Sequence, residues 1–77
     1  MRVSFPSTVI EVFKTNVHEP AKAAELVSLL SGHFPGGRIN FDLDDCDRIL
    51  RIDKPGLCSD TVIELMNAEG FQCAVLE

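Results

Sequence analysis

Between Val9 and Leu76 the apolar side chains keep two spacings, every second residue or every third and fourth, and the order in which these alternate restricts the fold more than any single residue does. Val9-Ile10-Glu11-Val12-Phe13-Lys14-Thr15 is β-branched or aromatic with polar residues interleaved, which predicts a first strand with unequally buried faces. Pro20 suits the first position of a helix, where its missing N–H would have had no partner. Beyond it Ala23, Leu26, Val27, Leu30 and Phe34 recur at helical steps and make one apolar stripe, and Gly32 offers a stop. After the turn Pro35-Gly36-Gly37 the period becomes two. Ile39, Phe41 and Leu43 alternate with Asn40, Asp42 and Asp44, a second strand with one wet face. The acidic link Asp44-Asp45-Cys46-Asp47 is rich in turn formers, so Arg48-Ile49-Leu50-Arg51-Ile52 should return antiparallel as the third strand. Lys54-Pro55-Gly56 ends that hairpin. Ser59 or Asp60 can cap a second helix burying Val62, Ile63, Leu65 and Met66 and stopping at Gly70, and Phe71 to Leu76 reads as the last strand.

Strand, helix, strand, strand, helix, strand is the order of an α+β, ferredoxin-like βαββαβ open-faced sandwich, a four-stranded antiparallel sheet with two helices on one face. The 77 residues leave room for one such domain over 9–77, preceded by an N-terminal extension over 1–8. A composition 45% hydrophobic and 25% charged can form its core and argues against disorder. In this arrangement the first strand-to-helix loop, the central hairpin and the second helix-to-strand turn share one edge, with His18 and Cys46 on it and Cys58 at the opposite edge. The uncovered sheet face should receive Ile49 with either Ala74 and Leu76 or Cys73 and Val75. An apolar sheet face without a helix over it commonly marks a contact surface.

Charge narrows the partners. Twelve acidic residues against seven basic ones leave a net charge of −5, which repels phosphate backbones and anionic membranes alike, and no basic cluster stands out along the chain. Neither nucleic acid nor membrane is an expected partner. No apolar run approaches the roughly 20 residues that span a bilayer, and Met1 to Thr8 lacks the apolar stretch of a secretory signal, so the chain reads as cytoplasmic. Cys46, Cys58 and Cys73 are odd in number and widely separated, which fits reduced thiols better than a disulfide framework or a paired-ligand zinc site.

The chain resembles the heavy-metal-associated domain family, the copper chaperones and the N-terminal modules of metal-pumping ATPases, from about Val9 to Leu76. The resemblance rests on Val12-Phe13-Lys14-Thr15-Asn16-Val17 leading into a helix, on Ile39-Asn40-Phe41-Asp42-Leu43 and Ile49-Leu50-Arg51-Ile52, and on Ala68-Glu69-Gly70-Phe71-Gln72-Cys73-Ala74-Val75. It implies the metallochaperone scaffold. In that family the first loop carries Met-x-Cys-x-x-Cys, whose thiolates hold a soft ion. The corresponding segment here is Thr15-Asn16-Val17-His18-Glu19-Pro20, with Val17 and Pro20 at the cysteine positions, so the family's ligands do not carry over.

A replacement metal site would combine His18, Cys46 and an aspartate, Asp45 or its neighbours Asp44 and Asp47, with Glu19 as a further ligand; that donor set suits Zn(II), Ni(II) or Co(II). The plainer account makes His18 a loop residue and the aspartates a solvated hairpin turn, and no short metal-binding spacing argues against it. Cys58, just before the second helix, could be activated by the helix dipole, but neither a base nor a resolving cysteine adjoins it. His33 closes the first helix as a cation at its negative end. Gly36-Gly37 lies between a helix and a strand, which makes it a turn and no phosphate cradle. With no triad, nucleotide fingerprint or cofactor motif, the chain reads as a non-enzymatic interaction module needing no cofactor, using its open face to self-associate or to dock a partner protein. A divergent metal-binding protein and a small-molecule-sensing regulatory domain are the competing readings.

Overall fold

Three strands with alternating apolar residues and one short edge strand can hide their backbone polar groups only by pairing, and they do so as one antiparallel sheet. The computed structural model describes residues 10–76; the expected extension over 1–8, the strand start at Val9 and residue 77 lie outside them. The elements are β1 (Ile10–Thr15), α1 (Pro20–His33), β2 (Arg38–Asp42), β3 (Ile49–Asp53), α2 (Ser59–Ala68) and β4 (Cys73–Val75), and the strands lie in the order β2-β3-β1-β4.

Register decides which side chains share a face. Phe13 lies opposite Leu50 on one side and Val75 on the other, Leu50 lies opposite Phe41, and Ile52 opposite Ile39. These residues join Ala23, Leu26 and Leu30 of α1 and Val62 and Met66 of α2 in a single core cluster, so the buried sides of both helices meet the same sheet face. Phe13, Val17, Leu30, Leu50, Ile52, Val62 and Met66 are all fully buried in it. Complete burial of side chains of this size contributes roughly 1.5–3 kcal/mol each, and no buried polar side chain among the described residues offsets it.

The helix boundaries have local causes. Pro20 opens α1, with Glu19 as its N-cap. Gly32 does not stop the helix, which runs on through His33; Phe34 is the C-cap, donating its N–H to the Leu30 carbonyl while its ring is buried. The left-handed residue is Gly36, at φ 86°. Neither Ser59 nor Asp60 caps α2. Its N-cap is Cys58, without a side-chain capping bond, while Asp60 sits in the first turn where a carboxylate complements the dipole. Gly70, at φ 92°, carries the chain out of α2 into a left-handed turn.

Three strand expectations shift. Leu43 falls in the turn, Arg48 precedes β3 at a left-handed φ of 48°, and β4 shortens to three residues. The hairpin link is therefore longer than Asp44 to Asp47. Asp45 closes it by accepting at its carbonyl from Arg48 N (2.9 Å), and the Arg48 guanidinium donates to the Leu43 carbonyl.

Candidate functional site

Two hydrogen-bonding residues, Thr15 at the end of β1 and Asn16 just after it, gather the loop edge. Thr15 donates its N–H to the Asp47 carbonyl (3.0 Å) and its hydroxyl to the Arg48 carbonyl (2.6 Å), which ties the loop to the hairpin. Asn16 Oδ1 accepts from Gln72 N (2.9 Å), which ties it to the α2–β4 turn. The three connections share an edge, as the sequence predicts.

At the two positions where the resemblance places metal-gripping cysteines, the side chains have other work. Val17 is fully buried in the core and Pro20 is the first residue of α1. Neither offers a donor atom. Asp45, Cys46 and Asp47 do bring one potential ligand atom each within 4.8 Å of one another. The turn itself accounts for that grouping: Asp45 Oδ1 accepts from Asp47 N (2.9 Å), the self-bonding habit of aspartate in turns. His18 is not a member of the group. It is exposed, its Nδ1 lies 3.3 Å from the Asn16 carbonyl, and it borders a hollow of about 190 Å³ with Glu19, Lys22 and Phe71.

The thiols differ in environment. Cys58 is exposed at the opposite edge, near the Ser59 hydroxyl that reaches Glu11 Oε1 at 3.5 Å. The Thr61 side chain, helped by the Thr61 and Asp60 backbone N–H groups, holds its thiol below the ordinary range, although none of them closes a capping bond to it. Cys73, half-buried against the core, is pushed up to about 11 by burial. A second hollow of about 190 Å³ follows the β1–β4 seam past Lys14, Thr15, Gln72, Cys73 and Ala74.

The sheet face away from the core cluster is mixed in character. By register it carries Arg38, Asn40 and Asp42 of β2, Ile49, Arg51 and Asp53 of β3, Ile10, Val12 and Lys14 of β1, and Ala74 of β4. Leu76, which donates its N–H to the Val12 carbonyl (2.8 Å), follows by alternation. Of the two expected sets, Ala74 and Leu76 take this face, and Cys73 and Val75 pack against the core. Ile10 is 49% exposed. Ile49 is on this face and outside the core cluster, yet only 3% exposed.

Charge on this face departs from the chain as a whole. Lys14, Arg38 and Arg51 outnumber Asp42 and Asp53 there, whereas the other cations of the described residues, Lys22, Arg48 and Lys54, are far outnumbered by carboxylates. Arg51 Nη2 lies 3.7 Å from Asp42 Oδ2, an exposed pair worth little to stability. Linear sequence conceals this gathering because each cation stands on a different strand. The signal that could have found it is parity: Lys14, Arg38 and Arg51 each occupy the period-two position opposite to that strand's core residues. No family model, curated protein or solved structure matches this chain.

Proposed function

We propose that the chain is a small non-enzymatic interaction module of the cytoplasm, built as a ferredoxin-like open-faced sandwich of heavy-metal-associated type without a metal-gripping loop, and that its open sheet face docks the acidic, partly apolar surface of a partner protein. The scaffold reading is supported by the βαββαβ order, by the strand order β2-β3-β1-β4 and by the common face on which both helices bury their side chains. No helix among the described residues is long and apolar enough to cross a membrane.

One observation carries the docking reading: in a chain of net charge −5, cations outnumber carboxylates on the one sheet face that the helices leave free, beside the exposed Ile10. Complementary potentials steer partners and fix their register, and apolar contacts beside them retain the complex. The expected partner is anionic around an apolar strip.

Titration of the labelled protein with an amphipathic leucine–glutamate peptide and, separately, its leucine–lysine counterpart tests this by backbone chemical shifts. The glutamate peptide should shift Val12, Lys14, Arg51 and Ala74, and a Lys14→Glu, Arg51→Glu variant should lose the response while staying folded. Equal responses to both peptides, or shifts confined to the helices, would refute the docking surface.

A further inference from the structure

Among the described residues the sheet ends on β2, which pairs there only with β3 and leaves its outer side without a strand. Natural sheets blunt such edges with short strands, prolines, bulges or charges that repel a copy. The other edge follows that rule, since β4 is only three residues long. β2 does not. It has five residues in unbroken register with β3, no proline and no bulge.

Its sequence, Arg38-Ile39-Asn40-Phe41-Asp42, also matches itself when reversed. Rotation by half a turn about Asn40, with two copies antiparallel, sets Arg38 opposite the second copy's Asp42, Ile39 opposite its Phe41 and Asn40 opposite its Asn40. Opposite charges and an aromatic with a β-branched residue are favourable cross-strand pairs, and two-fold symmetry forms each unlike pair twice. Charges that would protect an edge from a copy become its complement. Faces match as well as pairs: Ile39 and Phe41 sit on the core side, half-buried, where a second copy's Phe41 and Ile39 would cover what remains exposed, while Arg38, Asn40 and Asp42 lie on the open face. Asp42, already 3.7 Å from Arg51 of its own chain, would then stand between two guanidinium groups across the seam.

We infer that β2 is a homodimerisation edge: two copies of the chain pair antiparallel about Asn40 and join their sheets into one continuous sheet of eight strands. This does not rest on the docking reading, because edge and face are different surfaces, although pairing would lay two open faces side by side. One strand pair is a small contact, so the dimer is weak and reversible.

Sedimentation equilibrium of the full chain from about 10 μM to about 1 mM covers the range expected for so small an interface. The wild type should show a monomer–dimer equilibrium. Arg38→Asp or Asp42→Arg alone should raise its dissociation constant about tenfold or more, since each turns two attractive pairs repulsive, and the two together should restore it to within a few-fold. Circular dichroism of each variant separates lost pairing from lost folding, and an equimolar mix of the two single variants, each repelling its own copy but matched to the other in both charge pairs, provides a readout that does not need the double variant to fold. In a mixed labelled and unlabelled sample, intermolecular contacts should join Ile39 of one copy to Phe41 of the other. A chain monomeric at about 1 mM, a dimer indifferent to both reversals, or intermolecular contacts at Val12 in place of Ile39 would overturn the inference.

Discussion

At the scale of single residues, what a side chain touches separates the bland positions from the informative ones. Val17 is the clearest case. The resemblance places it where a ligand would stand, and its full burial shows a side chain held by the core. The order of strands and helices could place His18, Cys46 and Asp45 on one edge but could not measure their separation; the turn bond from Asp47 N to Asp45 groups the hairpin residues without His18. The thiols make a prediction. Cys58 is exposed and held low by Thr61, whereas Cys73 is raised from 9.0 to about 11 by burial. An acid whose folded value is raised stabilises the fold below its unfolded value and loses that contribution as pH climbs to the folded one, so Cys73 should lower thermal stability between about pH 9 and pH 11. The slope should flatten in Cys73→Ala. At neutral pH an alkylating reagent should label Cys58 long before Cys73; the reverse order, or an unchanged slope in the variant, would contradict these environments.

At the scale of elements, periodicity located all six, and the errors fell where termini depend on contacts that sequence does not display. Alternation gave β2 and β3 their faces, but Leu43 left its strand because the Asp45 turn and the Arg48–Leu43 bond pull the hairpin link one residue further back. β4 lost Phe71 and Gln72 to the turn held by Asn16. Gly32 read as a stop by residue type alone, yet the helix continues because Phe34, two residues on, is anchored in the core. The two glycines therefore differ. A Cβ at Gly32 meets nothing within 4 Å and lies in a helix, so Gly32→Ala should stabilise the fold by about 0.5–1 kcal/mol. Gly36 holds φ 86°, so Gly36→Ala should destabilise it by about 1 kcal/mol or more. Thermal unfolding of the two variants should move in opposite directions, and a shift of the same sign in both would show the helix end to be misplaced.

At the scale of the whole molecule, the sheet has two unlike faces. Both helices bury their apolar stripes against Phe13, Leu50 and Ile52, and the opposite face is left with a mixture of cations, carboxylates and apolar residues. The covered face was legible because burial on one side imposes strict alternation. The character of the open face was not, because its cations come from three strands that only register brings together. The partner proposed for the face needs that face to be open, whereas the copy on the β2 edge needs the outer side of β2. The direct measurement is relaxation of methyl signals by a neutral, soluble gadolinium chelate. Ile10, Val12 and Ala74 should relax fast, and Leu30, Leu50, Ile52 and Val62 should be spared. Relaxation of Leu50 and Ile52 as rapid as that of Ile10 would contradict the account, since the helices would then not cover the face on which it places them.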